Sequence, residues 1–452
     1  MTATDTPVAG VGTSGAYPVP ATRILRFELI KQFATWRVRL LILLCWLGPG
    51  LLVFIVDQQG TLPSDTLFGR WMHATGWAGS LVVLGVAGTW VLPLATSVVA
   101  GDVFAAEDRM GTWRHLLITV RSHRRIFAAK AIASGTVIVF LMAGMAVSSV
   151  VGGGLAEGDQ PLVGLDGHLL TSADAGGKVT LAWLCVLAPT LALAAIGLLG
   201  SIAFGRSPMG LLLPMVAALG MQVAQMLPLP VAVRLALPGY AFISWNGLFA
   251  DPQQLVPLLV GIGVSLVWVV VATALAYLVF VRRDFTNLNN DGAGRRVLVL
   301  GVLPLVGLLA VTTGVVALAT GATGSGIDQN KVQQSMATAF AHLYRYQQAQ
   351  MYHPPVTEAE LNTSALCSKS DGLGAQQGPG GDWRCTVYWD VPGDNVTAQA
   401  IYQLDVTANG RYIADGDGPV QVNGYFLIVT PGKVVPNPLW QFDGNVDLLT
   451  SQ

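Results

Sequence analysis

Charge is what this sequence has least of. Asp, Glu, Lys and Arg supply only 11% of its 452 residues, against about 25% in an average soluble domain. With 52% hydrophobic residues, a water-soluble enzyme of this size would leave much apolar surface unsolvated. The same richness excludes a disordered chain. A formal net charge of −1 provides no basic field for a nucleic-acid binder. Four cysteines are too few to build a disulfide scaffold.

What is present is a series of long apolar runs. A helix needs about 20 apolar residues to cross the hydrocarbon core. Seven stretches qualify: Leu40–Val56, Gly79–Ala100, Ala131–Val151, Val179–Phe204, Met209–Leu227, Leu255–Val281 and Val297–Thr320. None contains Asp, Glu, Lys, Arg or His. That absence argues against an ion-coupled carrier, which places titratable ligands in its spans, and against an intramembrane Ser/His protease. Neither a GxxxxGK[ST] phosphate loop nor an HExxH motif occurs, so no catalytic residue and no metal ligand is assigned. A protein of this kind that transports must take its energy from another subunit.

With the N-terminus inside, the cytoplasmic segments hold 16 Lys and Arg and the outer loops only Arg70, Lys178 and Arg234. The positive-inside rule therefore predicts a multi-pass protein with a cytoplasmic N-terminus and an exported C-terminus. Residues 1–20, rich in Ala, Gly, Thr, Ser and Pro, read as a disordered cytoplasmic tail rather than a signal peptide. Residues 21–38 read as an interfacial amphipathic helix. Its apolar stripe is Leu25, Leu29, Phe33 and Trp36, with Arg23, Arg26, Lys31 and Arg37 off it.

The tail after the seventh run differs. Gly321–Gly326 is a flexible linker, and from Ser325 onward the chain has 12 acidic and 6 basic residues. Ile327–Met351 carries helical spacing. Cys385–Val391, Ala400–Thr407, Arg411–Ala414 and Tyr425–Thr430 read as strands, with Asn409-Gly410 as a two-residue hairpin. The prediction for 321–452 is a small extracytoplasmic α+β domain, one helix on an antiparallel sheet. Cys367 and Cys385 both lie there, on the oxidising side, and are paired.

The loop Gly101–Lys130 is the most informative segment. Met110, Trp113, Leu117 and Val120 fall on one helical face. An acidic residue, a Gly-Thr pair, two leucines, basic residues and a lysine opening the next span follow in order: Glu107, Gly111-Thr112, Leu116-Leu117, Arg124-Arg125 and Lys130. This order resembles the signature of the type 2 ABC export permeases. Phe27-Glu28-Leu29-Ile30-Lys31 is similar to that family's amphipathic N-terminal helix, and the segment between runs five and six resembles its re-entrant outer helices. One departure is that Arg121 stands where the family often has Pro. The resemblance spans Thr22 to Arg283, a six-span core over 39–283. It leaves the linker and seventh span (284–320) and the exported domain outside the usual unit.

The resemblance implies an exporter's membrane subunit without its own ATPase site in a plasma membrane; the Ala, Gly and Val richness points to a bacterial one, and a sparse polar pair among methionines on span five suits an amphipathic or lipid-like substrate or drug. It implies a coupling helix at Glu107–Arg125 that docks on a cytoplasmic ABC ATPase dimer, where ATP and magnesium bind. Glu107, Gly111, Thr112, Arg114, Arg121, Arg124, Arg125 and Lys130 are the coupling candidates. A second permease subunit, identical or related, completes the path, with spans one, two and five at the seam. On span five, Met215, Met221, Gln222, Gln225 and Met226 are candidate path residues, or else simply pack and bond between helices. The competing reading is a membrane-anchored sensor or scaffold whose exported domain binds a ligand while no cargo crosses.

Overall fold

The computed structural model describes residues 20–59, 75–204, 209–283, 295, 298–322 and 324–449. The N-terminal tail, Arg70, Arg206 and most of the 284–297 linker lie outside the described residues. Among those described, six helices are long and apolar enough to cross a membrane: Trp36–Val56, Gly76–Ala100, His123–Ala156, Ser172–Phe204, Leu255–Val281 and Leu298–Thr320. A shorter apolar helix, Met209–Met226, sits fifth in chain order. The chain is thus a polytopic helical membrane protein with a small α+β domain after its last bundle helix.

Helix four, Ser172–Phe204, is the most buried and packs on helices two, five and six. Helices one and three approach closely because small residues face each other: a Cβ added at Gly152 would stand 2.4 Å from the Cα of Gly50. Such contacts replace the hydrophobic drive that lipid removes. Two prolines have a visible local effect. A π-turn at Ala87–Val91 precedes Pro93, and another at Leu298–Val302 precedes Pro304. Proline has no N–H to donate and its ring crowds the carbonyl four residues back, so a widened turn relieves both conditions.

The amphipathic N-terminal helix is shorter than expected. It runs Ala21–Ala34 and ends where Thr35 turns extended. Its fully buried residues are Ile24, Glu28 and Gln32, while Leu25, Leu29 and Phe33 of the apolar stripe are half-buried beside them. Trp36 opens helix one and is exposed. Glu28 on the buried side meets a buried cation, Lys130.

In the C-terminal domain, the helix Gln329–Gln350 is capped by Asp328, whose side chain accepts from Lys331 N at 3.0 Å. It lays Val332, Met336, Phe340 and Leu343 on a five-stranded antiparallel sheet. In chain order the described strands are β1 Leu162–Val163, β2 Leu169–Leu170, β3 Ser364–Lys369, β4 Gly380–Asp390, β5 Thr397–Val406, β6 Arg411–Gly416, β7 Leu427–Thr430, β8 Lys433–Pro436 and β9 Gln441–Asn445, and the five-stranded sheet has the order β3-β4-β5-β6-β9. Trp383, Cys385 and Val387 of β4 face the helix side and are fully buried.

Three details correct the sequence reading. Cys367 lies on a strand, not a loop, directly opposite Cys385 in the ladder, and the two form a disulfide. Asn409-Gly410 closes a three-residue loop, since Thr407 N donates to Arg411 O. Gly410 takes the positive φ of +90° that this loop requires. The strand expected at Tyr425–Thr430 begins at Leu427 and pairs with Lys433–Pro436 in a separate hairpin.

The disulfide staples the edge strand β3 to the sheet across a separation of 18 residues. Its removal in Cys367→Ser/Cys385→Ser should cost the domain about 3 kcal/mol or less. Hydrogen exchange should show β3 and β4 amides opening faster while bundle helices three and four are unchanged. Equal protection of β3 in variant and parent would show that packing alone holds the edge.

Candidate functional site

The loop between helices two and three is two short helices rather than one: Ala105–Met110 and Trp113–Val120. They are separated at Gly111, which has φ +64° with open space around its Cβ position. Glycine is therefore needed there for backbone conformation, not for room. Because of this break, Met110 points to solvent while Trp113 and Val120 are buried, with Leu117 between the two. The second helix ends at Arg121, also left-handed at φ +54°. Proline, fixed near −65°, could not occupy that position, which accounts for the departure from the family pattern.

The start of the loop is held from a distant helix. Ser201 Oγ, on helix four, accepts from Phe104 N at 3.0 Å and Ala105 N at 2.9 Å, the donors that a helix start leaves unpaired. Beneath the loop, Phe104, Trp113, Phe127 and Phe280 form one aromatic cluster with centroids 5.3–6.1 Å apart.

Charge fixes the loop at two points. Lys130 is completely buried and donates to Glu28 Oε2 at 3.0 Å and to Glu107 Oε1 at 2.7 Å. Glu107 also accepts from Lys31 and from the hydroxyl of Thr112. Burial alone would raise the Glu107 carboxyl, but the charge of Lys130 and three side-chain hydrogen bonds hold it at about 2, so it is ionised at any physiological pH. Its neighbour Asp108 takes a bidentate pair from Arg283, both contacts at 2.9 Å, and accepts from Trp113 Nε1 at 2.7 Å. Two adjacent acids thus tie one loop to the N-terminal helix and helix three on one side and to the end of helix six on the other.

This arrangement sorts the sequence candidates. Glu107, Thr112 and Lys130 come together, with Glu107 and Lys130 inside the protein, where they cannot touch a partner, and Thr112 half-buried. Arg114, Arg121 and Arg124 are exposed and Arg125 is half-buried. Arg124 Nε also donates to Tyr277 Oη at 3.2 Å. Exposed Met110 and Ile118 lie in the same stretch as these arginines. Sequence reading missed the roles of Glu28, Lys31, Asp108 and Arg283. The signal available was the rarity of charge itself: an acid on an otherwise basic amphipathic helix requires a partner.

The candidate path residues are not gathered. On Met209–Met226, Met221 and Gln225 are buried, Met215 and Gln222 half-buried, and Met226 exposed. Gln225 donates to the backbone carbonyl of Arg234 at 3.2 Å, an interhelical tie. Met221 packs against Gly239 of the outer helices.

At the other end of the bundle the C-terminal domain is docked onto the loops. Arg234 is fully buried and its guanidinium donates to the carbonyls of Leu229 (3.1 Å), Ser325 (2.7 Å) and Ala408. Gln254, just before helix six, donates its Nε2 to the backbone carbonyl of Asn445 of β9 at 3.0 Å and accepts from Asn445 Nδ2 at 2.5 Å.

The bundle is that of a multi-pass helical membrane protein. Residues 24–201 match the family described as ABC-2 family transporter protein. Over that stretch, its first four bundle helices and the loop, the chain is similar to ABC-2 family transporters, which implies an ABC transporter permease. Such permeases generally work with a cytoplasmic ABC ATPase. No curated protein is matched.

Lys130→Met would leave the Glu28 and Glu107 carboxylates buried without their shared cation, at a cost of about 3–5 kcal/mol. The variant should melt at lower temperature in detergent and be cut faster by protease between residues 105 and 121. Adding Glu28→Gln should restore part of the loss. An unchanged melting temperature would show that the network does not hold the loop.

Proposed function

We propose that this chain is the permease subunit of an ATP-binding-cassette exporter. It pairs with a second permease and moves an amphipathic or lipid-like substrate outward. ATP and magnesium act on a separate cytoplasmic ATPase dimer. The observation that carries the reading is the division of the loop into an inner and an outer face. Arg114, Arg121, Met110 and Ile118 are presented outward, while Glu107 and Asp108 fasten the same loop to three elements of the bundle. A surface that is exposed on one side and rigidly linked on the other can turn a push from a partner into helix motion.

In this reading the ATPase receives the arginines with acidic groups and the two apolar side chains with a shallow cleft. Closure of the ATPase pair displaces the loop, and the pairs at Lys130 and Arg283 carry the displacement to helices three and six. The substrate class rests on the absence of charge from all seven apolar runs, which suits cargo that is itself largely apolar. The sparse polar groups Gln222 and Gln225 offer few hydrogen bonds, and Met215, Met221 and Met226 adapt to varied apolar shapes.

Arg114→Glu should reduce recovery of the partner ATPase in co-purification at least tenfold while the permease still folds, since Arg114 is exposed. Equal recovery together with unchanged ATP-dependent efflux would overturn the docking assignment.

The proposed orientation places the loop in the cytoplasm and the C-terminal domain outside. A tag at the C-terminus of intact cells should react with an impermeant label and a tag at the N-terminus should not. The reverse pattern would place the loop away from any cytoplasmic ATPase.

A further inference from the structure

We propose that the junction between the C-terminal domain and the bundle is a binding site for one divalent transition-metal ion of the zinc class. Its protein ligands are Asp166, His168 and His342. Asp166 and His168 lie on the turn of the small hairpin Leu162–Val163/Leu169–Leu170, which connects helices three and four. His342 comes from the helix Gln329–Gln350 of the C-terminal domain. One metal-ligating atom from each residue lies within 4.8 Å of the other two.

The geometry has three independent parts. First, both imidazoles present the same nitrogen to one carboxylate. His168 Nδ1 is 2.5 Å from Asp166 Oδ1 and His342 Nδ1 is 3.5 Å from Asp166 Oδ2. Two nitrogens and a carboxylate oxygen form a common donor set for zinc, whose bonds of about 2.0–2.2 Å bring tetrahedral ligand atoms to about 3.4 Å apart. Small side-chain shifts close this triangle around an ion. Second, the far nitrogen of His342 has the partner that a metal-bound histidine uses: Nε2 lies 3.4 Å from Glu358 Oε1. A carboxylate on the outer nitrogen fixes the ring and raises its basicity toward a metal. Arg345 holds Glu358 in turn at 2.5 Å.

Third, the site is built and accessible. All three side chains are at least 89% buried. Asp166 Oδ2 accepts from Asp251 N at 2.6 Å, which aims the carboxylate. The hairpin is pressed onto the domain helix so closely that a Cβ at Gly167 would stand 2.3 Å from Leu343 Cγ. A cavity of about 420 Å³ opens beside His168 and His342, with His353 on its wall, leaving room for a water as a fourth ligand. Three protein ligands and one open position are within the habits of zinc. Because the ligands come from both sides of the junction, the ion would clamp the C-terminal domain to the loop between helices three and four. The proposal does not depend on what the bundle transports.

The test uses the full chain in detergent after removal of metals with a chelator. Titrated Co²⁺ should bind one ion per chain with the intense visible band of a four-coordinate site, and Zn²⁺ should displace it. His168→Ala and His342→Ala should each abolish the band, and Glu358→Gln should weaken binding about tenfold to hundredfold. X-ray absorption at the zinc edge of the unmutated protein should give two imidazoles and low-Z oxygens in the first shell, a readout that needs no variant to fold. Absence of saturable Co²⁺ binding overturns the proposal. So does binding that survives both alanine substitutions, or a first shell without two imidazoles. In those cases the cluster is a hydrogen-bonded junction only.

Discussion

A single ammonium group, that of Lys130, is the constraint around which the inner end of the bundle is arranged. It is completely buried at the start of helix three. A charge there is tolerable only when it is paired and hydrogen-bonded, and the chain brings two carboxylates from segments 102 and 23 residues away to meet it. The Glu28 partner rotates the N-terminal helix so that a polar stripe faces inward. The Glu107 partner fixes the first short helix of the loop. With Glu107 held, Asp108 on the next residue is directed to Arg283, and the aromatic cluster of Phe104, Trp113, Phe127 and Phe280 fills the space between the two pairs.

Much of the fold was legible because lipid imposes a simple rule. Uninterrupted apolar runs become helices, and all seven runs did so. The alternation in Cys385–Val391 and Ala400–Thr407 likewise marked two strands of the main sheet. What periodicity could not reveal is which side of an amphipathic helix faces protein. Glu28 and Gln32 are buried beside the half-buried Leu25, Leu29 and Phe33, and the pairing of Glu28 with Lys130 is a contact across the sequence that no local pattern carries. The short strand Ser364–Lys369 was missed for a related reason: it pairs through Cys367 to a strand already recognised, and its own alternation is brief.

The candidate site was legible in its members but not in their division of labour. Glu107, Thr112 and Lys130 were grouped with the arginines as one surface, and burial separates Glu107 and Lys130 from it. The sequence gives their order along the chain; whether each points out or in is decided by Gly111 and Arg121, two left-handed residues that break the loop into pieces. The Asp166, His168 and His342 cluster had no sequence signature at all. Its third member lies 174 residues beyond the second, and only docking of the C-terminal domain brings them together.

Helix six joins the loop to the C-terminal domain. Its last turns lead to Arg283, fastened to the loop, and its first turn follows Gln254, fastened to Asn445 of the C-terminal domain. Between them stand 27 helical residues, a rod of about 40 Å. No proline lies between Leu258 and Val281, so no proline kink interrupts most of the rod. A tilt of a few degrees at one end must then appear as a displacement of a few ångströms at the other. The two faces of the bundle are joined by a lever, and the C-terminal domain sits on its far arm.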